Sequence, residues 1–299
     1  MKSILVPLDG SPLAEQGLGF AVPVARAASA KLRLALVHEP AALKSGAIVH
    51  LEASLRRAER AYLDRTVEHL KREGLAGVTS VVLTGRPGDE LVRHAEERDP
   101  DLVVLATHGR GGLERAWLGS VADHLIQNLT VPVVAVHATD PPPAAAPVRR
   151  ILVALDGSRS AETALDPASK LARVLDAELL VCRVVLPVPL PADPLLPVTV
   201  AYDTELTAEL EAEAGRYVDR QVRQLVASGF RANGKVLVGG PRIAPTLLRA
   251  ADEERAGLIA MTTRARGRLR RLGLGSVADK VMRAAPCPVM LTRASRRAS

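Results

Sequence analysis

Leu118-Gly119-Ser120-Val121-Ala122-Asp123 returns about half a chain later as Leu274-Gly275-Ser276-Val277-Ala278-Asp279. Each copy follows an apolar run and an Arg/Gly-rich loop, Leu102–Gly112 in one half and Leu258–Arg268 in the other. Each precedes a short strand-like run after a proline, Pro132–Val136 and Pro288–Leu291. Strand, loop and helix start, in that order, make a place for an anion, because the first N–H groups of a helix have no partner within it. Glycine in such a loop lets the backbone approach a ligand closely.

A second repeat lies upstream. Ile4-Leu5-Val6-Pro7-Leu8-Asp9-Gly10-Ser11 is matched by Ile151-Leu152-Val153-Ala154-Leu155-Asp156-Gly157-Ser158. Two repeats in the same order make the chain an internal duplication. An apolar run that ends in Asp-Gly-Ser reads as a buried strand and the turn after it.

Between these markers the two halves run in parallel. Helical patterns are predicted over Ala14–Ala30 and Ala161–Leu175, with Pro23 and Pro167 expected to kink them or delay their start. Strands follow over Leu32–His38 and Leu179–Val185, then long charged helices over Leu51–Glu73 and Glu205–Ser228. Strands Ser80–Leu83 and Lys235–Val238 lead through turns into helices Asp89–Arg98 and Ala244–Glu254. The fourth strands are Leu102–Ala106 and Leu258–Thr262. Alternating strands and helices predict the α/β class, with two tandem doubly wound open sheets, mostly parallel, and helices on both faces.

The expected division is a first domain over 1–140, a Pro/Ala linker over 141–148 and a second domain over 149–299. A Pro-rich stretch carrying Pro187, Pro189, Pro191, Pro194 and Pro197 reads as a surface excursion.

Composition narrows the function. Hydrophobic residues make up 47% of the 299 and aromatics only 2%, so the cores must be aliphatic, as in buried parallel sheets. So few aromatics argue against stacking platforms for single-stranded nucleic acid. A net charge of +7 favours anionic partners without selecting one. The two cysteines, Cys182 and Cys287, signal neither a disulfide framework nor a zinc site. All seven histidines fall in the first half, and none has the His-Glu-x-x-His spacing. Met1-Lys2-Ser3 leads straight into a strand-like run, which argues against a signal peptide, and no apolar run approaches a membrane span. The expectation is a cytoplasmic protein with no membrane partner.

The loop after the fourth strand reads Ala106-Thr107-His108-Gly109, nine residues, then Gly119-Ser120. With the Asp-Gly-Ser opening and the Pro-Val-Val ending, it resembles the universal stress protein family in tandem form. Nucleotide-binding members carry Gly-x2-Gly-x9-Gly-Ser/Thr after the fourth strand and an Asp after the first. The resemblance covers both halves almost end to end.

It implies an adenine nucleotide, ATP with or without Mg²⁺, and a role in stress response or signalling. In the first half it points to Pro7, Asp9 and Val37 beside the base and ribose. Ala106, His108, Gly109, Arg110, Gly119, Ser120, Val121 and Ala122 would lie along the phosphates. Ala106 departs from the pattern, standing where its first glycine stands.

In the second half Asp156, Val184, Thr262, Gly275, Ser276 and Val277 correspond, but Thr262 and Ala265 replace both leading glycines. Nucleotide binding is therefore expected chiefly in the first half. Pairing of the two halves through their last strands, and homodimers, are the partners the resemblance implies.

Other readings stand beside this one. Each Gly-Ser could be a helix cap, and each Asp a turn residue. The missing glycines fit a scaffold of the same fold that binds no nucleotide. Five arginines within Arg264–Arg271 could hold a polyanion such as RNA. A Walker A sequence is absent and no nucleophile–base set is visible, so an enzyme is not expected, slow ATP hydrolysis aside. Trp117 reads as a packing anchor before Gly119.

Overall fold

The computed structural model describes residues 1–40, 46–108, 119–138, 147–190, 202–240, 242–263 and 275–293. Two compact units emerge, one from Met1–Ala146 with Met290–Arg293, the other chiefly from Pro147 onward.

In the first unit β1 (Ser3–Pro7), β2 (Lys31–His38), β3 (Val78–Thr84), β4 (Leu102–His108) and β5 (Val133–Ala138) alternate with α1 (Pro12–Ala28), α2 (Gly46–Arg72), α3 (Pro87–Arg98) and α4 (Ser120–Asn128). The strands lie in the order β5-β4-β1-β2-β3, and the registered pairs are parallel. The chain steps outward from β1 to β3, then returns to the other side of β1. β1 and β4 therefore flank the point where the winding reverses, and the crevice at their carboxyl ends is where open α/β sheets receive ligands.

The second unit repeats this plan. Its part of the chain runs through β6 (Arg150–Ala154), α5 (Arg159–Glu162), α6 (Leu165–Leu175), β7 (Glu178–Val185), β8 (Val188–Pro189), β9 (Tyr202–Asp203), α7 (Thr204–Ala227), β10 (Ala232–Val238), α8 (Ile243–Glu253), β11 (Leu258–Thr263) and α9 (Ser276–Ala284), and the repeat ends in β12 (Val289–Arg293), of which Met290–Arg293 group with the first unit. Its strands run β10-β7-β6-β11, with β12 beyond β11. α/β architecture with parallel sheets is thus observed. In the Pro-rich excursion, β8 and β9 form a short antiparallel pair, and 191–201 lie outside the described residues.

The central strands are buried on both faces, as their uninterrupted Ile, Leu and Val runs require. Ile4, Leu32, Leu34, Val103 and Val104 are wholly buried, and so are Ile151, Leu152, Leu179, Leu258 and Ile259. The largest wholly buried side chains are all Leu or Ile, so aliphatic packing replaces the missing aromatics.

The prolines behave differently in the two units. Pro23 sits inside a continuous α1, whereas Pro167 falls in the first turn of α6, after the separate short helix α5. The first turn lacks intrahelical N–H bonds anyway, so a proline there costs little. Among the described residues, no helix is long and apolar enough to cross a membrane.

Candidate functional site

The duplicated Asp-Gly-Ser forms the same turn in each unit. Asp9 Oδ1 accepts from Ser11 N–H at 2.8 Å, Gly10 takes φ +85°, and Ser11 caps α1 by accepting from Ala14 N–H at 3.1 Å. Asp156 Oδ1 accepts from Ser158 N–H at 3.0 Å and from its hydroxyl at 2.5 Å. Gly157 takes φ +87°, and Ser158 caps α5. The glycine is needed because other L-residues resist positive φ. Both carboxylates are exposed. The turn reading of these aspartates is therefore correct as far as it goes. For Asp9 it uses one oxygen, and Oδ2 makes no hydrogen bond among the described residues.

Beside this turn lies the end of β4. β1 and β4 are parallel neighbours with Leu5 opposite Val103, which brings Leu8–Asp9 alongside Ala106–His108. α1 crosses β4 closely at Gly17, where an added Cβ would sit 3.4 Å from the Ala106 nitrogen. Pro7 ends β1, and Val37 lies near the end of β2 opposite Leu83. Gly109, Arg110 and Trp117 lie outside the described residues.

α4 begins at Ser120, with Gly119, a residue without a side chain, as its N-cap. α9 repeats this, with Gly275 as N-cap before Ser276. The serines therefore do not cap these helices. They occupy the first helical position, one residue too late to reach the orphan N–H groups. Val121 and Ala122, with Val277 in the second unit, complete first turns whose N–H groups receive no side-chain acceptor from the N-cap residue.

Asp156, Val184 and Thr262 lie in the second unit where Asp9, Val37 and Ala106 lie in the first. Ala265 and Arg264–Arg271 lie outside the described residues.

Several polar groups near these turns were not anticipated. Glu15 follows the first turn, and on α2 the Tyr62 hydroxyl is buried with no hydrogen-bond partner among the described residues. In the second unit Glu162 Oε1 accepts from Tyr217 Oη and Gln221 Nε2, each at 3.0 Å. Burial, with the neighbouring glutamate and then the turn aspartate, raises the pKa of both phenols. The signal was present as a third repeat, Tyr62-Leu-Asp64-Arg65 against Tyr217-Val-Asp219-Arg220. It hides inside charged helices, where periodicity reports only a solvated face.

The units also differ. Arg183 of β7 stands in the frame of Leu36, and its guanidinium lies over the second turn: a Cβ on Gly157 would come within 3.0 Å of Arg183 Cζ. Arg183 also pairs with Glu213 at 3.5 Å and lies 5.3 Å from the Tyr217 ring centre. In the first unit, His38 at the end of β2 is buried, with Nδ1 2.9 Å from Glu59 Oε2 on α2, while its Nε2 has no hydrogen-bond partner among the described residues. Val185 and Ala214, both buried, take the same places in the second unit. Among the described residues, no group of three His, Cys, Asp or Glu side chains is placed to hold a metal ion.

Fold and site together define a class: tandem, doubly wound α/β proteins with an exposed turn carboxylate and glycine-capped helix starts after the fourth strand. The chain belongs to the universal stress protein family, whose sequence profile matches residues 1–137 and again 147–293. A universal stress protein of Mycobacterium tuberculosis is 31% identical over 224 residues, 73% of this chain and 70% of that one. Another, from Mycobacterium bovis, is 28% identical over 318 residues, 97% of this chain and 94% of its own. The crystal structure of a universal stress protein from Archaeoglobus fulgidus superposes with a TM-score of 0.69 at 20% identity, covering 98% of this chain and 97% of that one, a likeness of fold.

Proposed function

We propose that this universal stress protein binds an adenine nucleotide, ATP, at the carboxyl ends of β1 and β4 in its first unit, and acts in stress response as a binding protein rather than an enzyme. The observation that carries the reading is the Gly119-Ser120 helix start, whose N-cap glycine has no side chain to occupy the free N–H groups, following β4 in a unit whose β1 is followed by an exposed aspartate. A helix N-terminus without a side-chain cap favours phosphate, and a carboxylate at the end of the first strand can accept from ribose hydroxyls. The second unit keeps the helix start at Gly275-Ser276, but the Arg183 guanidinium crowds its aspartate turn. We assign it the role of a degenerate partner.

The test is calorimetric titration of ATP, with and without Mg²⁺, into nucleotide-stripped protein. A stoichiometry near one per chain, lost in Asp9→Ala, agrees with the reading. A value near two would mean that the second unit binds as well. No heat, together with no thermal stabilisation at high ATP, would leave a scaffold that binds no nucleotide.

A further inference from the structure

α1 and α2 carry successive crossovers in one direction, β1 to β2 to β3, so both cover the same face of the first sheet. A groove of about 540 Å³ runs between them, from Glu15 to Pro23 on α1 and from Tyr62 to Glu73 on α2. Small residues open it. A Cβ added at Gly19 would meet nothing within 4 Å. On the other wall Thr66 turns its hydroxyl back to the Tyr62 carbonyl at 3.0 Å rather than across the groove.

Two polar groups in this groove want partners. The Tyr62 hydroxyl is buried with no hydrogen-bond partner among the described residues. Pro23 has no N–H, so the Gly19 carbonyl lacks the donor that the fourth residue on normally supplies.

The second unit holds the same place filled. Gln221 stands in the frame of Thr66, is buried, and donates its amide to Glu162 Oε1 beside the Tyr217 hydroxyl. Asp166 and Lys170 stand in the frames of Gly19 and Pro23 and pair at 2.8 Å. Glu162 is the counterpart of Glu15, so in the second unit an N–H donor reaches the glutamate across the helix pair. Thr66 is too short to do this in the first.

Charge and apolar surface are sorted along the groove. Glu15 lines one end, and Arg65 lies one turn beyond Tyr62 on the other wall. Neither has an ion-pair partner among the described residues. The following turns present Leu18, Val22 and Leu70. A carboxylate and a guanidinium at one end, with an aliphatic wall along the rest, match a molecule with an ammonium and a carboxylate at its head and an aliphatic tail.

We propose that the groove between α1 and α2 of the first unit binds an aliphatic α-amino acid. The ammonium group donates to the Glu15 carboxylate and the Tyr62 hydroxyl, the carboxylate accepts from Arg65, and the tail lies over Leu18, Val22 and Leu70. The site lies along the helical face of the sheet, and it stands independently of nucleotide at the carboxyl ends of β1 and β4.

The experiment is a proton–nitrogen NMR titration of the full chain with L-leucine. Three truncated probes accompany it: glycine without the tail, isoamylamine without the carboxylate and isocaproate without the ammonium. L-Leucine is expected to bind with a dissociation constant of about 1 mM or tighter. It should shift the amides of Gly19 and Thr66 and leave those of Asp166 and Gln221 in place. Each truncated probe should bind roughly tenfold more weakly. Thr66→Gln copies the second unit and should abolish binding, with circular dichroism unchanged, because Thr66 is not part of the buried core. Arg65→Met should weaken L-leucine roughly tenfold and leave isoamylamine as it was. L-Leucine that shifts no amide at about 10 mM overturns the proposal. So do shifts confined to other parts of the chain, undiminished binding in Thr66→Gln, or a truncated probe that binds as tightly as L-leucine.

Discussion

At Asp9 one side chain has two claims on it. Its Oδ1 holds the turn through Ser11 N–H, and the charge is exposed for a ligand. Asp9→Asn keeps the acceptor and removes the charge, so it separates the two. We expect the Asn variant to keep its stability within about 0.5 kcal/mol in urea unfolding. ATP affinity should fall about tenfold, as for losing one charge-assisted hydrogen bond. Equal affinity in both proteins would reduce Asp9 to a turn residue. His94 on α3 makes a second case. Burial, and then Arg98, lower its pKa from 6.5, so the folded protein holds it neutral. As pH falls below 6.5 the unfolded chain takes up a proton that the folded one resists, and stability is lost. His94→Gln should flatten the decline in unfolding free energy as pH falls below 6.5, measured by urea titration at each pH.

The duplication also supplies a control at the level of elements. β2 and α2 are joined by His38 and Glu59, and their counterparts β7 and α7 carry Val185 and Ala214 at the same places. The scaffold therefore closes with or without this pair. Removing one member should cost more than replacing both, because a buried imidazole would lose its one hydrogen-bond partner among the described residues. Glu59→Ala is expected to cost about 1–3 kcal/mol. His38→Val combined with Glu59→Ala should recover part of that, giving a clear coupling energy in a double-mutant cycle. Additive single effects would mean that the pair does not act as a unit.

Taken whole, the chain is two compact units built from one repeated plan. A ligand that binds only the folded first unit should stabilise that unit alone. At about 100 times its dissociation constant, ATP should add about 2.7 kcal/mol to it. Differential scanning calorimetry should then show one of two transitions moving upward by several degrees and the other staying still. Equal movement of both would mean that both units bind or that the chain unfolds as one.

What the sequence by itself determined is the plan: alternating elements, a duplication, the aliphatic core and the family. Strand and helix periods are local, and repeats in one order need no coordinates to be seen. Asp9, Gly119 and Ser120 stood out as candidates because they lie in short motifs beside breaks in periodicity, whereas Val37, inside the apolar run of β2, was pointed to only by the family resemblance. The tertiary structure alone decided the pairings. It set Ser120 inside the helix rather than at its cap, laid Arg183 over the second turn and joined His38 to Glu59. It also left Leu51 and Leu206 exposed near the starts of α2 and α7. These depend on where two elements distant in sequence meet and where one outlasts the other, and the hydrophobic period along a single helix does not record how far its neighbour extends.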